Sequence, residues 1–117
     1  MARYLLAFAL VVAVVLSIVG TASSQQTSVR LFVRHEVNDY AAWRKAYNDF
    51  DAERKAAGVT GAAVYRSVDN PNDVTVWHDF ASADKAKAFA SSEKLKNTMK
   101  NAGVKGAPQI WFTSEAK

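Results

Sequence analysis

The chain has no cysteine among its 117 residues, and only two prolines and five glycines. Without cysteine there is no disulfide scaffold, thiol catalysis, cysteine-based zinc site or covalent haem attachment. The low glycine and proline content, with 50% hydrophobic and 22% charged residues, excludes collagen-like and disordered sequence. The glycines form no phosphate loop or dinucleotide fingerprint, and no G-x-S-x-G nucleophile motif is present. Leucine and isoleucine are scarce too. After residue 24 only Leu31, Leu95 and Ile110 remain, against 11 aromatic residues. What is left is one domain built on valine, alanine and aromatic rings.

The hydrophobic total joins two unlike parts. Residues 1–24 hold 18 hydrophobic residues, and Arg3 is the only charge before Arg30. Leu5 to Leu16 is an unbroken apolar run, followed by Gly20, Thr21, Ala22, Ser23 and Ser24. A cationic start, an apolar stretch and small residues at −3 and −1 read as a secretory signal peptide, cleaved after residue 22 or 24. The expectation is export, to a periplasm or outside the cell, with contact to membrane only through an uncleaved leader. Residues 25–117 then form the single domain. Lysines gather late in it, at 85, 87, 94, 96, 100 and 105. No stacking motif interrupts them, so they read as a solvated helix face and nucleic acid is not an expected partner.

Ser28–Val37 alternates with period two and reads as a strand. Asn38 or Asp39 then caps an amphipathic helix carrying Tyr40, Trp43, Tyr47, Phe50 and Ala57 on one side, closed by Gly58. Val59–Val68 and Val74–Phe80 read as strands joined by the turn Asp69-Asn70-Pro71-Asn72-Asp73. Ser82 opens a helix to Ala90, and Ser91 or Ser92 opens a second segment, Glu93–Ala102. Pro108 precedes a last strand, Gln109–Thr113. The order β-α-β-β-α-β, with the second helix broken in two, predicts an α+β, ferredoxin-like fold with an antiparallel sheet. Its first and third strands should be central neighbours.

Helices cover one face of such a sheet, and the other should read polar. Here one parity set holds Val29, Leu31, Val33, Val74 and Val76, while the other holds Phe32 and Trp77. A hairpin centred on Asn70–Asn72 would set Trp77 opposite Tyr65, and Trp111 splits from Ile110 and Phe112 in the last strand. Aromatic residues on the second face, in a domain of about 93 residues that is short of core, point to a homodimer formed through the sheet.

His35-Glu36-Val37-Asn38-Asp39-Tyr40 with Trp43, then Gly58-Val59, Val64-Tyr65-Arg66, Asp69-Asn70-Pro71-Asn72, Ala102-Gly103-Val104 and Pro108 carry a resemblance. Over nearly all of residues 28–115 the chain resembles the dimeric α/β-barrel superfamily of antibiotic-biosynthesis-monooxygenase-like and stress-responsive domains. The resemblance implies a homodimer whose sheets face one another around a small-molecule cavity. Members include cofactor-independent monooxygenases of polyphenols and quinols, and haem-degrading enzymes. The haem-degrading branch uses an Asn, a Trp and a helix-borne His. Only Trp77 matches, since Phe32 and Arg34 occupy the first-strand positions and neither His falls in a predicted helix.

The residues for chemistry are few. Glu36 beside His35 and Asp79 beside His78 point to the opposite strand face, so neither dipeptide is a ligand pair or dyad. No metal and no cofactor is expected. His35, at the end of an apolar strand, is the candidate base. Phe32, Arg34, Tyr65, Trp77 and Trp111 are candidates for the wall of a cavity between sheets. The sequence thus predicts an exported homodimer that binds a small aromatic or apolar molecule. The alternative is a cofactor-independent monooxygenase acting on a phenol or quinol.

Overall fold

The computed structural model describes residues 27–117. The leader reading therefore lies outside the described residues. Among those described, no helix is long and apolar enough to cross a membrane.

Four strands and four short helices follow in the order β1 (Val29–Val37), α1 (Tyr40–Asp49), α2 (Asp51–Ala56), β2 (Val59–Arg66), β3 (Asp73–Phe80), α3 (Ala83–Ala90), α4 (Glu93–Asn101) and β4 (Val104–Thr113). The sheet order is β2-β3-β1-β4 and every pairing is antiparallel, as in the ferredoxin-like plan, with β1 and β3 central. The caps resolve the alternatives left by the sequence. The Asp39 carboxylate accepts from the Ala42 N–H at 3.0 Å, and the Ser92 hydroxyl accepts from the Leu95 N–H at 3.1 Å. Gly58 (φ 103°) and Gly103 (φ 89°) close the two helical layers in the left-handed conformation that other residues adopt only under strain.

Three elements differ from the sequence reading. The first helix is also broken, at Phe50, whose N–H is shared between the carbonyls of Ala46 and Tyr47. The kink lets Phe50 pack near Phe89, with ring centroids 6.5 Å apart. The last strand begins at Val104, five residues before Gln109. Pro108 sits where the β1–β4 register shifts, between Arg34↔Gln109 and Glu36↔Lys105. A proline is tolerated there because β4 is an edge strand and the irregularity needs no N–H from it. The β2–β3 hairpin is also offset by two residues. Tyr65 lies opposite Thr75 and Trp77 opposite Ala63, with a shift between Val59 and Gly61.

The core lies between the sheet and the helices. Leu31, Val74, Phe80 and Ala86 are fully buried, and Val33, Val37, Val76, Phe89 and Trp43 nearly so. Each large apolar side chain hidden here contributes roughly 1.5–3 kcal/mol. The opposite face is open. On it Phe32 and Trp111 stack at 5.2 Å, Arg30 lies 3.6 Å over Trp77, and Arg30 grips Asp79 through two bonds of 2.7 and 3.0 Å. Arg34 holds Asp73 in the same two-pronged way, at 3.1 and 2.7 Å.

Candidate functional site

A cavity of about 60 Å³ lies on the helix side of the sheet. Its floor comes from β1 and β3 through Val33, His35, Val76 and His78. Its roof comes from α1 and α2 through Trp43, Tyr47 and Arg54, with Phe89, Leu95 and Met99 closing the side. The alternation of β1 and β3 aims both histidines inward, four register positions apart on adjacent strands: His35 opposes Val74 and His78 opposes Leu31.

An aromatic ladder runs from one histidine to the other. His35 meets the Trp43 ring edge-on at 5.6 Å, Trp43 stacks on Tyr47 at 5.1 Å, and Tyr47 stacks on His78 at 5.9 Å. The Tyr47 hydroxyl is 3.1 Å from His78 Nε2. Arg54 caps the ladder from above, its guanidinium 3.7 Å from the centre of the Tyr47 ring. That guanidinium also donates to the Tyr47 carbonyl and reaches Asp51 at 3.4 Å.

Burial decides the charge states. His35 is 7% exposed and its pKa is lowered to about 4 by desolvation, with Asp73 pulling weakly the other way. His78 is 5% exposed and also lowered to about 4, first by burial and then by the Arg54 charge. Burial raises the Tyr47 hydroxyl above its usual value. Both imidazoles are therefore neutral at physiological pH. Neither ring nitrogen of His35 has a hydrogen-bond partner among the described residues, and nor does His78 Nδ1. Buried nitrogens without a protein partner are rare, and a neutral imidazole so placed keeps one donor and one acceptor open to a bound molecule. A ring lowered to about 4 accepts a hydrogen bond readily but is a poorer base at neutral pH than one near 6.5.

The structure separates the residues that the sequence grouped. His35 lines the cavity. Phe32, Arg34, Tyr65, Trp77 and Trp111 lie together on the open face, across the sheet from it. Tyr65 is 56% and Trp111 40% exposed, so any cavity they line requires a second chain. Arg34 is occupied by Asp73, which holds its guanidinium above and the carboxyl below the usual range. Trp43, Tyr47, Arg54 and His78 line this cavity as well, though the sequence reads the first two as core anchors, His78 as a structural or rim residue and Arg54 as no candidate. The signal for Arg54 is its spacing. Trp43, Tyr47, Phe50 and Arg54 fall at i, i+4, i+7 and i+11, so a charged residue closes an otherwise aromatic stripe. Among the described residues no group of three His, Asp or Glu side chains is placed to hold a metal.

No protein-family model matches the chain, and none of the curated proteins does. Solved structures do match in fold. A candidate antibiotic biosynthesis monooxygenase of Bordetella bronchiseptica superposes with a TM-score of 0.68 at 18% identity, over 79% of this chain and 100% of that one. One from Caulobacter crescentus gives 0.62 at 21% identity, over 79% and 92%. SnoaB, a cofactor-independent oxygenase from Streptomyces nogalater, gives 0.64 at 12% identity, over 78% and 95%. The chain thus has the fold of antibiotic-biosynthesis-monooxygenase-like proteins, as its sequence resemblance implies.

Proposed function

We propose that the protein is an exported homodimer that binds a single-ring aromatic molecule in the cavity between helices and sheet of each protomer. The observation that carries this reading is His35. It is a neutral imidazole, 7% exposed, with both nitrogens unpartnered, at the wall of an apolar cavity. A phenolic hydroxyl donating to it would satisfy a buried acceptor, and the ring would cover Val33, Val76 and Leu95. The space of about 60 Å³ is smaller than the roughly 150 Å³ that holds benzene in an engineered apolar cavity. A ring therefore enters by displacing Met99, an unbranched side chain that repacks easily. The leader supports export, and the aromatic open face supports the dimer.

Titration calorimetry with phenol tests the binding. The expected result is saturable binding that falls at least about tenfold, or 1.4 kcal/mol, in His35→Phe. Absence of saturable binding to the wild type contradicts the reading.

The neutral imidazole, together with the fold shared with SnoaB, favours a second, catalytic reading. His35 would take the proton of a phenol or quinol held in the dry cavity. The electron-rich ring would then react with O₂, one oxygen atom entering the ring as a quinone carbonyl and the other leaving as water. Oxygen uptake on adding a single-ring quinol, lost in His35→Ala, is the expected result. No uptake across a panel of phenols and quinols removes this reading and leaves the binding one in place.

A further inference from the structure

Arg54 stands out on the cavity wall as a buried cation. It is 7% exposed, and arginine is rarely so buried unless firmly paired. Its carboxylate contact, Asp51, is 3.4 Å away and itself half exposed to water. Its remaining described contacts are the Tyr47 carbonyl and the face of the Tyr47 ring. Capping the end of α1 accounts for the carbonyl bond, but a cap does not require the guanidinium to line an apolar cavity.

The surroundings give this cation a consequence. No acidic residue lines the cavity, and the two histidines in its wall are neutral. Asp73 and Asp79 belong to the opposite face of the sheet, each tied to an arginine there. Arg54 is therefore the one formally charged side chain in the cavity wall, offset only in part by the half-exposed Asp51. His78 adds to this. If the Tyr47 hydroxyl donates to Nε2, the ring proton sits on Nδ1, a donor with no partner among the described residues.

We propose that the cavity takes an aromatic acid as its anion, with the ionised oxygens against Arg54 and the ring on the apolar wall. This deepens the aromatic-ligand reading above and rests on it. The charge of Arg54 is then compensated by the ligand, and the unpartnered His78 Nδ1–H has an acceptor.

The test compares benzoate with its neutral isostere benzamide, by calorimetry at pH 7 on the purified protein. The wild type is expected to bind benzoate at least about tenfold more tightly, a difference of 1.4 kcal/mol. Arg54→Gln should bring the benzoate-to-benzamide ratio close to one, whatever it does to the affinity for either probe alone, and Arg54→Lys should keep part of the preference. A merely structural arginine would weaken both probes alike. Equal binding of the two by the wild type overturns the inference and spares the cavity reading. Failure of both to bind overturns the inference, and the phenol titration alone then decides the cavity reading. Because the wild-type ratio needs no variant, the test stands even if Arg54→Gln does not fold.

Discussion

His35 and His78 lie within the same layer of side chains, and their burial has a measurable thermodynamic sign. In an unfolded chain an imidazole takes up its proton near pH 6.5; in this fold both stay neutral down to about pH 4. The unfolded state therefore binds more protons between those values. Stability is fully present above about pH 6.5 and is lost as pH falls towards 4, by on the order of 3 kcal/mol per ring at full effect. Asp51, Asp73 and Glu36, whose carboxyls are held below their usual range, add losses only at the acid end of that window. Denaturation midpoints should thus stay level from pH 7.5 to about 6.5 and fall from there to pH 4.5, and a flat profile throughout would contradict the burial of the two rings. His35→Phe should halve the slope roughly. It should also raise stability at pH 7 by about 1 kcal/mol, since it removes two buried unpartnered nitrogens.

The elements show how far the sequence could be read, and where it stopped. Alternation located β1 and β3 because each has one face against the helices, and the Asp39 and Ser92 caps follow from short polar side chains before apolar runs. The Asp39 cap is a single hydrogen bond at an exposed helix start, so Asp39→Ala should cost about 1 kcal/mol in urea denaturation without altering the fold. The break at Phe50 was not legible, because helical spacing continues through it and the contact with Phe89 that accompanies the bend is made in three dimensions. The early start of β4 was hidden by Pro108, which ends most strands but sits harmlessly at a register shift on this edge. Two-residue periodicity fixed which face each aromatic residue occupies. It could not say which face holds a cavity, because that depends on how closely α1, α2 and α4 approach the sheet. Trp43, Tyr47 and Phe50 were readable as core anchors; that their stripe ends in Arg54 above a void was visible only in three dimensions.

At the scale of the molecule, the two faces of the sheet have different tasks. The helix side encloses the cavity. The open side joins the stacked pair Phe32 and Trp111 to exposed Tyr65, with Arg–Asp pairs at both ends of β1, and its apolar centre and charged rim suit a second copy of the chain. Light scattering should give twice the chain mass for the wild type, and a folded monomer for Trp111→Arg. A wild-type monomer at micromolar concentration would contradict the dimer. The central claim, that ligand binds under the helices and not on the open face, can be read from the three tryptophans, because Trp43 lines the cavity while Trp77 and Trp111 lie across the sheet. The decisive measurement is a phenol titration followed through the three indole N–H signals in a nitrogen-15 correlation spectrum. The account predicts a saturable shift of the Trp43 signal with Trp77 and Trp111 unmoved; shifts confined to Trp77 and Trp111 would contradict it.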